Sequence, residues 1–157
     1  MPGREVGEVQ FRPAVDTDLP ALVAMLADDP LGALREDNSH PLNQAYTDAF
    51  AEIDRDPNNA LVVSEIDGRL AGMLQLTYIP YLTHTGSWRC LVEGVRVHPD
   101  FRGRGLGRLF LEWAIDSARR RQCRIIQLTS DKQRPDALRF YESLGFEATH
   151  EGFKMKL

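Results

Sequence analysis

Cysteine is scarce. Cys90 and Cys123 are the only two, too few for a disulfide framework, and neither lies in CxxC or Cys/His zinc spacing, so no metal site is expected. Both fall in stretches patterned as strands, where a thiol packs as a small hydrophobe. Long apolar runs are missing as well: nothing approaches the ~20 residues of a membrane span. The opening stretch MPGREVGEVQFRP lacks the apolar segment of a secretory leader. A soluble, cytoplasmic protein with no membrane partner is the expectation. A basic surplus is also absent. The net charge of −4 is the wrong sign for a dedicated nucleic-acid binder, and the strand segments lack the paired exposed aromatics used for base stacking. No repeat, linker or composition break divides the 157 residues, 43% of them hydrophobic. One domain spanning 1–157 with a real core is predicted.

What is present alternates helix and strand signals. EVQFRPA (8–14) reads as a short strand, and Asp16 precedes Leu19, Leu22, Val23 and Leu26 at helical spacing, predicting a helix capped near Asp16. DDPLGALREDNSH breaks that pattern through Pro30 and Gly32. A second helix is predicted over 42–53, ended by DPNN. ALVVSEI and RLAGMLQLTYI flank Asp67-Gly68, a two-residue hairpin signal. Residues 80–86 read as a loop and 87–97 as a third long strand. CRIIQLTS (123–130) is nearly all apolar at its centre, as in a strand buried on both faces. RPDALRFYESLGF reads as a helix with Pro135 in its first turn and Gly145 at its end. EGFKMKL is predicted to close the chain as a strand. The order β-α-α-β-β-β-α-β-α-β is an α+β plan around a mixed sheet.

The charge is uneven. Arg102, Arg104, Arg108, Arg119, Arg120, Arg121 and Arg124 are accompanied between 102 and 124 only by Glu112 and Asp116. The densest part, HPDFRGRGLGRLFLEW (98–113), sits between a strand and a helix. The first N–H groups of a helix lack internal partners, and the macrodipole leaves about half a positive charge there. Glycines let that backbone approach a ligand, so the segment is built as an anion cradle. The spacing GxGxG, with no acidic residue at the tip of the strand beyond the helix, argues against a dinucleotide fingerprint, and the absence of GK followed by Ser or Thr argues against a P-loop.

Arg102-Gly103-Arg104-Gly105-Leu106-Gly107 follows a strand ending VRVHP and precedes a helix with Leu106, Leu109, Phe110 and Trp113 on one stripe. With RFYESLGF near the C-terminus, this arrangement resembles the GNAT superfamily of acyl-CoA-dependent N-acetyltransferases, over almost the whole chain. The resemblance implies a mostly antiparallel central sheet flanked by about four helices, with splayed central strands. It implies acetyl-CoA as co-substrate, its pyrophosphate on the backbone of Gly103, Arg104, Gly105, Leu106, Gly107 and Arg108. Arg102 belongs to the same group, and the strand Val95, Arg96, Val97 would pair with the pantetheine arm. Tyr141 aligns with the family's usual general acid, although Ala137, Phe140, Tyr141 and Leu144 also form a stripe that suits a core tyrosine. Glu93 is the candidate base: its parity with Leu91, Val95 and Val97 puts a carboxylate on an apolar row, costly unless it faces a wet cleft, the other reading being an ordinary surface glutamate after a register shift at the neighbouring bulge. Gly94 beside it marks the bulge that splays the strands. Where the family often carries Asn, this chain has Arg134, which would touch the cofactor or face the acceptor.

Tyr78, Tyr81, His84, Arg89 and His150, with Trp88, are candidates to line the acceptor pocket. The block QLTSDKQRPDALRFYESLGFEATHEGFKMKL is similar to the C-terminal part of bacterial aminoalkylphosphonate acetyltransferases. That likeness implies a small primary amine, with an anionic tail that Arg89 or Arg134 would meet. A protein or peptide amine, and a non-catalytic acyl-CoA sensor, remain open alternatives, as does a homodimer.

Overall fold

The computed structural model describes residues 7–157. Five strands form one sheet in the order β1-β2-β3-β4-β5. β1 (Val9–Pro13), β2 (Asn59–Ile66), β3 (Arg69–Pro80) and β4 (Trp88–Val97) are antiparallel neighbours, and β5 (Ile125–Gln127) joins β4 in parallel. Asp67 and Gly68 take φ of 51° and 74°, the paired left-handed conformations of a tight hairpin.

The helices are α1 (Leu19–Ala27), α2 (Pro30–Arg35), α3 (Gln44–Arg55), the single turn α4 (Thr83–Gly86), α5 (Leu106–Arg120) and α6 (Pro135–Ser143). Two of these replace expected breaks. DDPLGALR forms α2 because Asp29 accepts a hydrogen bond from the Gly32 N–H at 2.9 Å and Pro30 opens the helix. Gly32 is obligatory there, since a Cβ would stand 1.9 Å from the Leu26 carbonyl oxygen. In α4, His84 and Thr85 are left-handed, with φ of 52° and 61°, so its helical pairing is local to one turn. The entry to α1 is organised by Asp18 and not by Asp16. A 3-10 turn (Asp16–Asp18) precedes the helix, and the Asp18 carboxylate accepts from Val15 N–H at 2.8 Å and from Arg12 at 2.7 Å.

The predicted C-terminal strand is absent. Phe153, Met155 and Leu157 alternate with Lys154 and Lys156, which satisfies the pattern, but no described strand bonds to them and all three apolar side chains are exposed. Alternation makes a strand only where an edge is there to pair. β5 is likewise shorter than its apolar run, because it pairs only from Arg89↔Ile125 to Leu91↔Gln127.

The sheet separates two cores. Val62, Leu74, Leu76, Cys90 and Val92 pack against Phe110, Leu111 and Ala114 of α5, while Val63 and Met73 pack against Leu22 and Met25 of α1. Residues paired across an antiparallel ladder share a face. Gln75 pairs with Glu93 and Met73 with Arg96, so β4 carries one residue more than β3 between these pairs. Gly94, with φ of 62°, sits in that bulge. The bulge corrects the expected parity. Val95 packs with the α5-side core, whereas Glu93 shares the α1 face with Arg96.

Candidate active site

β4 and β5 part company at Leu91. Beyond the Leu91↔Gln127 pair, β4 continues to Val97 with no described strand on that side. The gap is a cleft of about 340 Å³, walled by Val92–Val97 on one side and by Leu128–Asp131, Arg134, Ala137, Phe140 and Tyr141 on the other. A second hollow of about 220 Å³ lies at the glycine-rich segment. Val97, Gly107 and Phe140 line both, so the two form one elongated groove along β4.

Gly103 and Gly105 have φ of 76° and 77°, and no atom lies within 4 Å of where their Cβ would be. The groove at this end is therefore lined by bare backbone. Gly105 caps α5, whose first internal hydrogen bond runs from Leu109 N–H to Gly105 at 3.2 Å. The N–H groups of Leu106, Gly107 and Arg108 are left to a ligand or to water. Gly107 lies beside Phe140, where a Cβ would make ordinary contact at 3.5 Å. The arginines are engaged by protein partners. Arg102 donates to the Val97 carbonyl and pairs with Asp28 at 3.0 Å, Arg104 lies over the Phe101 ring, and Arg108 pairs with Glu112 at 3.3 Å. An anion placed here would thus be met chiefly by main-chain N–H groups and the α5 dipole. Backbone cradle, bare strand edge and narrow groove fit a phosphate-bearing, extended molecule such as an acyl-CoA.

At the opposite end, Glu93 is exposed and makes no ion pair or hydrogen bond through its carboxylate among the described residues. Tyr141 stands on the facing wall, its ring edge-on to Phe140 and Phe146. Its hydroxyl has no described hydrogen-bond partner and is not sealed from solvent. Burial pushes the phenol above its ordinary value, against an opposing pull from Arg96 and Arg134, so it stays protonated at neutral pH. Arg134 reaches Asp29 at 2.5 Å, and Arg96 approaches the same carboxylate at 4.0 Å. The buried Arg96 Nε has no partner. Burial, then the neighbouring Arg134, lower the Arg96 guanidinium from its usual value.

The other expected acceptor residues are scattered. Tyr78 is a core residue under α5, with Arg121 stacked 4.1 Å from its ring, and lies on the face opposite Glu93. Packing, not ligand contact, accounts for it. Arg89 shares the Glu93 face but is bonded to Gln127 and stacked on Tyr81 at 4.3 Å. Its Nε is buried without a partner. His84 is exposed in the α4 turn, and His150 is exposed beside Thr149, outside the groove lining. Sequence reading missed the aspartates of the α1–α2 turn, which hold Arg102 and Arg134. The signal was there: Asp before Pro is a helix-start pattern. It also passed over Gln75, a polar residue within RLAGMLQLTYI and directly opposite Glu93.

Comparison with known proteins agrees with this geometry. The Acetyltransferase (GNAT) family matches residues 25–146. An aminoalkylphosphonate N-acetyltransferase of Salmonella typhimurium is 31% identical over 114 residues, covering 73% of each chain. A crystal structure described as a transcriptional regulator from Bacillus halodurans C-125 superposes with a TM-score of 0.92 at 53% identity, covering 96% of this chain and all of that one. An acetyltransferase of Trypanosoma brucei superposes with a TM-score of 0.75 at 26% identity, over 96% of this chain and 100% of the other. With its bulged fourth strand, its splayed groove and its glycine cradle, the chain belongs to the GNAT family and is an acyl-CoA-dependent N-acetyltransferase.

Proposed function

We propose that the protein transfers an acetyl group from acetyl-CoA to the primary amine of a small molecule, by direct attack with both substrates bound. The observation that carries this reading is the groove itself, which has bare backbone at a helix start at one end and, lining the other, a carboxylate and a phenol with no described partner. The co-substrate supplies the activated acyl thioester. Gly103 to Arg108 hold its pyrophosphate and the open edge of Val95–Val97 its pantetheine arm. Holding both reactants in one groove replaces a bimolecular encounter, a large part of the rate gain. The amine nitrogen forms the new N–C bond as the C–S bond breaks. Glu93 takes the proton the nitrogen sheds, and the Tyr141 hydroxyl gives one to the departing sulfur.

The acceptor end also carries charge information. Arg96 and Arg134 share one carboxylate, Asp29, and Arg96 Nε is buried and unsatisfied; the adjacent Arg35–Glu36 pair balances itself. Beside Glu93, Arg96 and Arg134 thus bring two positive charges against the single negative charge of Asp29. An amine with an anionic tail complements that excess, which is the chemistry named for the Salmonella relative. The test is thermal stabilisation by acetyl-CoA, followed by free-thiol release against aminophosphonates, amino acids, plain alkylamines, polyamines and peptides. Stabilisation with turnover on small anionic amines is the expected result. Turnover on peptides alone would overturn the small-molecule reading. Stabilisation with no turnover on any amine would favour a ligand sensor, a role in keeping with the description of the Bacillus protein.

A further inference from the structure

Glu93 does not stand alone on its face. The ladder places Gln75 of β3 directly opposite it, and directly opposed residues have Cβ atoms about 5 Å apart. The orientation of the Gln75 amide is dictated by a chain of hydrogen bonds that starts at Asp56. That carboxylate, held below its usual range by the Asn58 backbone N–H and then by Asn59, can only accept. The Asn59 amide nitrogen donates to it at 3.1 Å. The Asn59 carbonyl oxygen must then face the other way, where it accepts from Gln75 Nε2 at 2.9 Å and Thr77 Oγ1 at 3.0 Å. With one N–H of its nitrogen given to Asn59, Gln75 is oriented so that Oε1 is left over as an acceptor. That oxygen has no described donor and is not sealed from solvent. The strand pair therefore presents two acceptors side by side, Oε1 and the Glu93 carboxylate, neither with a described donor. A ligand group with two N–H bonds placed between them satisfies both acceptors at once.

We infer that Gln75 is the second hydrogen-bond acceptor for the attacking amine and that, with Glu93, it makes the site selective for primary over secondary amines. The inference rests on the acetyl transfer proposed above. A neutral primary amine has one lone pair and two N–H bonds. With the lone pair aimed at the acyl carbon, one N–H meets Glu93 and the other meets Gln75. Glu93 removes the first proton as the N–C bond forms, and the second remains as the amide N–H, still held by Gln75. A secondary amine spends its single N–H on Glu93 and leaves Oε1 against an alkyl group. Asn59 is a positioning residue: it fixes which end of the Gln75 amide faces the amine.

The experiment compares propylamine with N-methylpropylamine, and 2-aminoethylphosphonate with its N-methyl derivative, on the full-length protein. The wild type is expected to favour each primary amine, and Gln75→Met to cut that preference by about tenfold, mainly through KM. Asn59→Leu should lower it by a smaller factor. Stabilisation by acetyl-CoA should persist in both variants, which separates loss of the acceptor contact from loss of fold. Calorimetric titration of the same amines into CoA-saturated protein should show the same loss of preference in Kd, without turnover. An unchanged primary-to-secondary ratio in Gln75→Met, with wild-type turnover intact, overturns the role of Gln75 and leaves acetyl transfer standing. Absence of both turnover and amine binding in the wild type overturns both.

Discussion

Around Gly103–Arg108 the groove is lined by main chain, held open by two left-handed glycines and the first turn of α5, while the nearby arginines are occupied by protein partners. Around Glu93 the surface is all side chain. It is assembled from Gln75 on β3, Glu93 and Arg96 on β4, Tyr141 on α6, and Asp29 in the α1–α2 turn. A backbone site tolerates side-chain change but not a change of backbone conformation. A side-chain site reverses that: an exposed member such as Glu93 can be replaced without disturbing the backbone, and the replacement alters the chemistry. The difference explains how one frame keeps its cofactor while changing its acceptor.

The sharpest way to break the contrast is Gly105→Val. A β-branched residue at φ of 77° is strained by about 1–2 kcal/mol, and its methyl groups would occupy the space the glycine leaves to the ligand. Stabilisation by acetyl-CoA should vanish at concentrations that saturate the wild type, while the melting temperature of the free protein falls by only a few degrees. Retained binding would mean that the phosphates are held elsewhere.

Glu93→Gln probes the other end and should do the opposite. The amide keeps the shape and loses the base, so kcat is expected to fall by about 10³-fold at neutral pH. Acetyl-CoA affinity, measured by calorimetry, should stay within about twofold, because nothing in the phosphate cradle touches the carboxylate. An unaltered rate would remove Glu93 from the mechanism.

How far the sequence could be read follows the same division. The proposed cradle depends on glycine spacing and a helix start, which are local, so the left-handed glycines and the start of α5 were legible before any coordinates. The hairpin at Asp67-Gly68 and the bulge at Gly94 were legible for the same reason: one residue type signals one backbone state. The acceptor end depends on register. The bulge moved Val95 to the opposite face from the one expected and put Arg96 beside Glu93, and no pattern along a single strand shows which residue lies across the ladder. Tyr78 was misplaced because aromatic residues suit a pocket and a core equally well. The C-terminal strand failed on the missing partner, since alternation describes a strand without supplying the edge that makes it one. Asp29 joins residues far apart in the chain, 29, 96 and 134, by salt bridges that spacing cannot reveal.

Tyr141→Phe should show a smaller effect than Glu93→Gln, about 10²-fold in kcat, because a thiolate leaves more readily than an amine attacks. The alkaline limb supplies a second readout. A general acid works while protonated, and burial raises this phenol above 10.0, so the rate should fall only as pH rises through that raised value. The phenylalanine variant should lack this limb. Its stability should change by no more than about 1 kcal/mol, since the hydroxyl has no described partner to lose. A large drop in melting temperature with a normal rate would make Tyr141 a core residue alone.

The smallest effect is expected where the two ends meet. Asp28 and Asp29 are consecutive in the α1–α2 turn. One pairs with Arg102 beside the cradle at 3.0 Å and the other with Arg134 in the cleft at 2.5 Å. The Asp28–Arg102 pair is about half exposed on both sides, so its own contribution to stability is about 0–1 kcal/mol. Its place is more telling than its strength, because a carboxylate near a phosphate site repels the ligand and occupies an arginine that would otherwise attract it. Asp28→Asn should therefore leave the melting temperature nearly unchanged and tighten acetyl-CoA binding by about two- to threefold, a gain that shrinks as salt screens the exposed charges. Weaker binding in Asp28→Asn would reverse the assignment. Asp28 would then hold Arg102 in its productive position, and the cradle would depend on a side chain after all.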